Sequence, residues 1–165
     1  MARVSDEELL QLAHILGQKL HEKGWMLACA ESCTGGWLSQ LVTAIPGSSA
    51  WFDRGFVTYS NQAKQDMLGV STATLETHGA VSEETVREMA TGTLKHSHAQ
   101  ISASISGIAG PGGGTRQKPV GMVCNGWATV DGTVLSTTCR LSGDREEIRS
   151  RAVAAALRGL IELLT

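Results

Sequence analysis

The stretch AESCTGG, residues 30–36, decides how this chain is organised. The apolar residues 25–30 predict a buried strand, and residues 37–42 have helical character. Ser32 therefore lies at a predicted strand-to-helix turn, where the two glycines let the backbone pass close to a ligand. Free amides at such a turn attract anions and hold the oxyanion of an acyl-transfer intermediate. Two interpretations stay open: Ser32 is a nucleophile, or Ser32 or Thr34 caps the helix.

Outward from this turn, helices and strands alternate along the chain. The predicted elements are a helix from the Ser5 capping box to Gly24, a strand at 55–59, a helix from Asn61 to Gly69, a short helical piece at 71–77, a helix after Ser82, a strand at 101–105, a hairpin of 120–130 and 133–141 that turns at Asp131-Gly132, and a last helix opened by 142–145.

The early alternation of strands and helices predicts an α/β fold. The hairpin adds an antiparallel part to the sheet. We therefore expect a single three-layer α/β/α domain over residues 1–165, with a mixed sheet and a C-terminal antiparallel hairpin. The N-terminal and C-terminal helices are expected to cover the faces of this sheet.

Composition narrows the class of protein. The 165 residues are 42% hydrophobic and 18% charged, which predicts a folded core rather than disorder. A net charge of −2 gives no support to a nucleic-acid or anionic-membrane surface. No apolar run approaches the roughly 18 residues of a membrane span, and residues 1–8 lack a signal-peptide pattern. The expected location is the cytoplasm.

The cysteines and histidines do not predict a metal site. The spacings of the four cysteines match no paired CxxC signature. Cys29 and Cys33 flank the turn, so a reactive thiol stays open beside the interpretation that these are free, partly buried cysteines in a reducing compartment. Only His96 and His98 are close in sequence, near the end of a predicted helix, where a cation suits the dipole.

A second informative stretch is GFVTYSNQAK, residues 55–64. Tyr59 ends a predicted strand, and Lys64 lies about one helical turn beyond it. If this strand neighbours the Ser32 strand, the three side chains converge at the sheet edge that ligands favour in α/β folds. A lysine activates a serine only when neutral, and burial favours its neutral form. The alternative is a solvated surface lysine beside a packed tyrosine.

The glycine-rich residues 106–114 follow the strand predicted at 101–105. They match neither a Walker A loop nor a GxGxxG loop. Glycines after a strand nevertheless free backbone amides to approach an anion or a planar ring. The stretch is therefore either a ligand cradle or a structural loop. Arg145 at a helix start suits a phosphate or carboxylate, or is an ordinary surface charge.

Six fragments, in order along nearly the whole chain, together resemble the CinA C-terminal-domain family. They are AESCTGG at 30–36, GFVTYSNQAK at 55–64, GAVS at 79–82, SGIAGP at 106–111, KPVG at 118–121 and GDR at 143–145.

The resemblance implies a deamidation reaction. The expected activity is hydrolysis of the carboxamide of nicotinamide mononucleotide to nicotinate mononucleotide and ammonia, in pyridine-nucleotide recycling. It implies no cofactor and no metal. Ser32 then takes the role of nucleophile and Lys64 that of general base, with Tyr59 assisting. The backbone amides around Thr34 and Gly35 are expected to face the oxyanion.

The resemblance also implies how the nucleotide is held. The expected partner is this small-molecule substrate, with neither nucleic acid nor membrane, and the expected assembly is a homodimer whose substrate touches both subunits. Two other functions stay open: a non-catalytic nucleotide-binding or regulatory paralogue, and an amidase for another small amide. The substrate-binding candidates are Thr34, Gly35, Ser48, Asn61, Ser106, Gly107, Gly110 and Arg145, with Arg145 at the phosphate.

Overall fold

The computed structural model describes residues 3–165, which form five strands and six α-helices. The strands are β1 (Leu27–Glu31), β2 (Phe52–Val57), β3 (Ile101–Gly107), β4 (Met122–Thr129) and β5 (Val134–Arg140). The helices are α1 (Asp6–Lys23), α2 (Trp37–Thr43), α3 (Asn61–Leu68), α4 (Thr72–His78), α5 (Glu83–Lys95) and α6 (Arg145–Leu163), and a 3₁₀ turn covers Ser48–Ala50.

Helix boundaries follow local capping chemistry. Serine or aspartate side chains accept a hydrogen bond from the first-turn amides of α1, α3, α4, α5 and α6. Gly24 and Gly69 end α1 and α3 in the left-handed conformation that glycine adopts without strain. Helix α2 differs, because its N-cap residue Gly36 carries no side chain to cap it. Its first turn therefore depends on a partner from elsewhere in the chain.

The sheet has the strand order β2-β1-β3-β4-β5. Strands β2, β1 and β3 are parallel, and β4 and β5 add the antiparallel hairpin. The predicted mixed sheet is therefore confirmed. Strand β2 starts and ends earlier than predicted, because its pairing with β1 stops where Glu31 faces Val57. Tyr59 accordingly lies two residues beyond the strand end.

Helices cover both faces of the sheet, as a three-layer fold requires. Helices α1, α2 and α6 pack on one face, and α5 covers the other with α3 and α4 beside it. The two terminal helices were expected to cover both faces of the sheet. They cover only one face, because α1 and α6 pack side by side. Among residues 3–165, no helix is both long and apolar enough to cross a membrane.

The face under α5 is lined by small residues, which explains its close approach. The hydroxyls of Ser102 and Ser104 on β3 donate hydrogen bonds to the Ala90 and Val86 carbonyls of α5 at 2.7 and 2.6 Å. A Cβ atom on Gly126 of β4 would lie 2.4 Å from the Val86 carbonyl oxygen. One helix therefore lies directly on the central strands, with its N-terminus at the carboxyl edge of the parallel strands.

Candidate active site

Ser32 and Lys64 meet at the carboxyl edge of the parallel strands. Ser32 directly follows β1, and its backbone amide donates to the Ile105 carbonyl of β3 at 3.0 Å. Lys64 lies on α3, which follows the neighbouring strand β2. Its Nζ atom lies 3.0 Å from Ser32 Oγ. Of the three side chains expected to converge, Ser32 and Lys64 therefore meet within one chain, whereas the phenol of Tyr59 does not join them.

Lys64 is a buried residue, which removes the interpretation of a solvated surface lysine. Only 1% of its surface is exposed. Its Nζ atom also lies 2.8 Å from the Thr58 carbonyl oxygen and 3.3 Å from that of Tyr59. Burial lowers the pKa of Lys64 from 10.5 to about 8, because the charged form loses its hydration. About one tenth of the side chains are then neutral at pH 7.

The two carbonyls also orient the lysine. When Lys64 is protonated, its three N–H bonds match the three acceptors Thr58 O, Tyr59 O and Ser32 Oγ. When it is neutral, two N–H bonds still satisfy the carbonyls, and the lone pair is left facing Ser32 Oγ. This is the geometry that a general base requires.

The N-terminus of α2 is capped by Glu31, not by Ser32 or Thr34. The Glu31 carboxylate accepts hydrogen bonds from the backbone amides of Leu38 and Ser39 at 2.8 and 3.0 Å. It also accepts from the hydroxyls of Thr34 and Ser39 at 2.8 and 2.9 Å. The helix-capping interpretation of Ser32 is therefore wrong, because its hydroxyl contacts Lys64 and donates to the Tyr59 carbonyl at 3.2 Å.

The same contacts redefine which amides are available to an anion. The sequence pattern predicted free helix amides, but those of Leu38 and Ser39 are bound to Glu31. The amide of Gly35 donates to the Ser32 carbonyl at 3.0 Å and closes a tight turn. In the described part of the chain, the amides of Cys33, Thr34 and Gly36 donate no hydrogen bond to another residue. Cys33 and Thr34 directly follow Ser32 in the chain, so their amides are the candidate oxyanion donors.

Helix α6 braces this turn through Arg149. Its Nε donates to the Cys33 carbonyl at 3.0 Å, and its Nη2 donates to the Thr34 carbonyl at 3.1 Å. The guanidinium also lies over the Trp37 ring, 5.5 Å from the ring centroid. Arg149 is therefore held against the turn from the side of α6.

Tyr59 and Arg145 form the outer part of the cluster. The Tyr59 contacts with Ser32 and Lys64 run through its main-chain carbonyl, whereas its exposed phenol lies 3.4 Å from Nη2 of Arg145. Arg145 also donates from Nη1 to the Gly110 carbonyl at 2.7 Å. The first turn of α6 is thus tied to the glycine-rich loop and to the end of β2.

The remaining candidates on this edge differ in their environment. Ser106 on β3 is paired with Cys124 on β4, and only 1% of the Ser106 surface is exposed. It directly follows Ile105, whose carbonyl accepts the hydrogen bond of the Ser32 amide. Gly107 lets the ends of β3 and β4 approach closely, since a Cβ atom added at this position would lie 2.6 Å from Val123 Cγ2. Asn61 is exposed at the start of α3.

Ser48 is not brought to this cluster within one chain. It lies in the 3₁₀ turn that precedes β2, next to Trp51, whose carbonyl binds the Leu27 amide at the start of β1. That is the amino edge of the parallel strands, roughly 17 Å from Ser32 along the five residues of β1. A role for Ser48 at this site therefore requires a second subunit.

The cavity beside Lys118 and the cysteine thiols lie outside the Ser32–Lys64 contact. A cavity of about 550 Å³ beside Lys118 and Arg87 includes neither Ser32 nor Lys64. The four cysteines are free thiols, and burial raises the pKa of the Cys33 thiol to about 11. Among residues 3–165, no group of three or more His, Cys, Asp or Glu side chains is placed to hold a metal ion.

Glu31 and Arg149 are the two residues that the sequence interpretation missed. A weak signal existed for each. Glu31 is a carboxylate next to the candidate nucleophile in an otherwise apolar strand. Arg149 follows Arg145 by four residues, which places both on the same face of a helix.

Comparisons with known proteins agree with this architecture. The nicotinamide-nucleotide amidohydrolase PncC of Enterobacter agglomerans is 53% identical over 155 residues, covering 94% of each chain. The protein of the same name from Escherichia coli strain K12 is 52% identical over 157 residues, covering 95% of each chain. The crystal structure of the competence/damage inducible protein CihA from Agrobacterium tumefaciens has 45% identity and a TM-score of 0.94. The structural alignment covers 100% of this chain and 99% of the CihA chain.

A family model described as the CinA C-terminal domain matches residues 9–164, which is nearly the whole chain. The matched range includes the Ser32 turn, Lys64 and the first turn of α6. The chain therefore belongs to the CinA C-terminal domain family.

Proposed function

We propose that this chain hydrolyses the carboxamide of nicotinamide mononucleotide to nicotinate mononucleotide and ammonia, by a serine–lysine mechanism, as a step in pyridine-nucleotide recycling. The observation that carries the mechanism is the 3.0 Å contact between the buried Lys64 Nζ and Ser32 Oγ. The substrate class rests on relatives more than 50% identical that are named nicotinamide-nucleotide amidohydrolases.

In the first half of the reaction, neutral Lys64 takes the proton of Ser32 while Oγ attacks the carboxamide carbon. The two carbonyl partners hold the lysine lone pair toward this proton. The tetrahedral intermediate carries an oxyanion, for which the unpaired amides of Cys33 and Thr34 are the available donors. Such donors are worth roughly 3–4 kcal/mol each in other acyl-transfer enzymes.

The intermediate collapses by breaking its C–N bond. Protonated Lys64 gives its proton to the leaving nitrogen, and ammonia departs. Water then attacks the acyl ester on Ser32, with Lys64 taking a proton from that water and returning it to Oγ. Nicotinate mononucleotide is released, and both residues regain their starting states.

The nucleotide is bound in this proposal by residues around the outer part of the site. Arg145 contacts the phosphate, because it is an exposed guanidinium beside Tyr59 and the glycine-rich loop. Asn61, Ser106, Gly107 and Gly110 supply further contacts from the same edge. Ser48 joins them from the second subunit of a homodimer, since it lies at the opposite edge of its own sheet.

Ammonia release from nicotinamide mononucleotide by the purified protein tests the proposal. We expect turnover by the wild type and none by the Ser32→Ala variant, with unchanged circular dichroism. Ser97→Ala is the matched control, because its hydroxyl bonds only to local backbone groups away from the site. Full activity in Ser32→Ala would exclude covalent serine catalysis.

The same assay separates the two other functions. A non-catalytic paralogue would bind the mononucleotide in calorimetry and release no ammonia. An amidase for another small amide would prefer free nicotinamide or the riboside to the mononucleotide. The contact between Ser32 and Lys64 favours catalysis over binding alone.

A further inference from the structure

The turn that carries Ser32 is held between two buried or half-buried charges that the proposed reaction does not use. Glu31 lies on one side and Arg149 on the other. They come from β1 and α6, and each makes several hydrogen bonds to the residues from 33 to 39.

Glu31 fixes the end of the turn that leads into α2. Its carboxylate is fully buried and accepts four hydrogen bonds, two of them from the Leu38 and Ser39 amides. A third comes from the Thr34 hydroxyl at 2.8 Å. Glu31 therefore removes the helix amides from competition for an anion and ties the Thr34 side chain down.

Arg149 fixes the orientation of the peptide groups inside the turn. Its Nε holds the Cys33 carbonyl oxygen. In a trans peptide, the carbonyl and the following N–H point in opposite directions. Arg149 therefore directs the Thr34 amide away from α6, and the Thr34 amide is one of the three left unpaired in the turn, with those of Cys33 and Gly36.

We propose that Glu31 and Arg149 are positioning residues that clamp the turn at residues 32–36 and thereby aim the Cys33 and Thr34 amides at the oxyanion. This inference rests on the proposed function for its reaction, but its geometry concerns any acyl transfer at Ser32. Neither residue touches the substrate in this role. Both act through the turn that carries the donors.

The test compares turnover and KM in the variants Glu31→Gln, Arg149→Met and Arg149→Lys. Misplaced donors lower kcat by about 10- to 100-fold. The KM for nicotinamide mononucleotide should stay within about threefold, because only transition-state contacts are lost. The apparent pKa of the pH–rate profile should not move, since Lys64 keeps its partners. Arg149→Lys should recover part of the rate, because an ammonium still reaches one carbonyl.

Matched controls come from charges of the same kind away from the site. Glu83→Gln changes a carboxylate that accepts from the hydroxyls of Ser136 and Thr138 at 2.8 Å each. Arg158→Met removes an exposed ion pair of α6 with Glu8. Both controls should keep wild-type kcat.

Several outcomes would overturn the clamp. A folded Glu31→Gln or Arg149→Met variant with wild-type kcat would do so, as would a rise in KM at constant kcat. A shifted apparent pKa would mean that the residue acts through Lys64 instead. If Glu31→Gln does not fold, the two Arg149 variants decide, because their contacts lie on the other side of the turn.

A second measurement separates failure of the clamp from failure of the proposed function. Phenylmethanesulfonyl fluoride sulfonylates a reactive serine: the Oγ–S bond forms, fluoride leaves, and the base takes the serine proton. Intact-mass spectrometry measures the rate of this sulfonylation, with Ser32→Ala as the unreactive control. The measurement does not depend on whether the mononucleotide is a substrate. The variants should react about 10-fold or more slowly than the wild type. Equal rates would overturn the inference even if the wild type releases no ammonia.

Discussion

The Nζ atom of Lys64 lies 2.8 Å from the main-chain oxygen of Thr58, three residues before the helix that carries the lysine begins. This hydrogen bond holds the amine just beyond the end of β2, where it also contacts Ser32 Oγ. Because the amine is buried among neutral groups, its protonation state depends strongly on pH in the range where enzymes work.

The first prediction concerns the pH–rate profile. Since the pKa of Lys64 is lowered to about 8, kcat should rise about tenfold per pH unit below pH 7 and level off above pH 8 to 9. Lys64→Met should lose at least about 10³-fold in kcat. Stopped or coupled ammonia assays from pH 5.5 to 9.5 measure this. A Lys64→Met variant that keeps the wild-type profile would rule Lys64 out as the base.

The second prediction concerns stability. The unfolded chain holds the lysine proton up to about pH 10.5, whereas the folded chain releases it at about pH 8. Between these values the unfolded state binds more protons, so the free energy of unfolding rises with pH. Between pH 8 and pH 10.5, the free energy of unfolding of the wild type should rise by about 3 kcal/mol relative to that of Lys64→Met.

Urea unfolding at pH 7.5 and pH 10.5 measures this difference. Lys95→Met is the control, because Lys95 is exposed at the end of α5. The difference in free energy of unfolding between the wild type and Lys95→Met should be the same at both pH values. A flat difference between wild type and Lys64→Met would show that the folded lysine titrates like an unfolded one.

The third prediction separates the main chain of Tyr59 from its phenol. Tyr59 contacts Ser32 and Lys64 through its carbonyl, which a substitution to phenylalanine keeps. Tyr59→Phe should therefore leave the apparent pKa of the pH–rate profile unchanged, even if the lost contact with Arg145 alters KM. A shift of that pKa would instead assign the phenol to the orientation of the lysine.

The fourth prediction concerns phosphate recognition by Arg145. Losing a charge-assisted contact costs about 1.5–3 kcal/mol, so Arg145→Gln should raise the KM for the mononucleotide by about 10- to 100-fold. The riboside, which has no phosphate, should be turned over equally by both proteins. Arg140→Gln, an exposed arginine on β5, is the control. Equal KM values for the mononucleotide would remove Arg145 from the phosphate site.

The fifth prediction concerns the packing that places α3. A Cβ atom on Gly92 of α5 would lie 2.0 Å from the Leu68 carbonyl oxygen at the end of α3. Gly92→Ala should therefore lower the free energy of unfolding by about 1–3 kcal/mol, despite the higher helix propensity of alanine. The exposed neighbour substitution Thr91→Ala should change it by less than about 0.5 kcal/mol. Equal stability of the two variants would show that α3 can move aside.

Local patterns were sufficient for most of the fold. Serine and aspartate caps, glycine ends and apolar periodicity lie within a few residues of the helix ends and faces that they define. Both ends of α1 and α3, and the starts of α5 and α6, were therefore predicted close to their observed positions. The strand ends were less accurate. Strand β2 was predicted too far toward Tyr59, because the end of a strand depends on where its neighbour β1 stops pairing.

The sequence by itself determined the α/β class and the turn at Ser32. It predicted the approach of Lys64 only on the condition that β1 and β2 are neighbours, because neighbouring parallel strands bring the residues beyond their carboxyl ends to the same edge of the sheet, and the structure met that condition. Only the tertiary structure decided that Glu31 takes the α2 amides, that Arg149 reaches the Cys33 carbonyl from 116 positions away, and that Ser48 lies at the opposite edge. Periodicity and capping act over one or two helical turns. Contacts between β1 and α6 depend instead on how all three layers pack, and no local pattern encodes that packing.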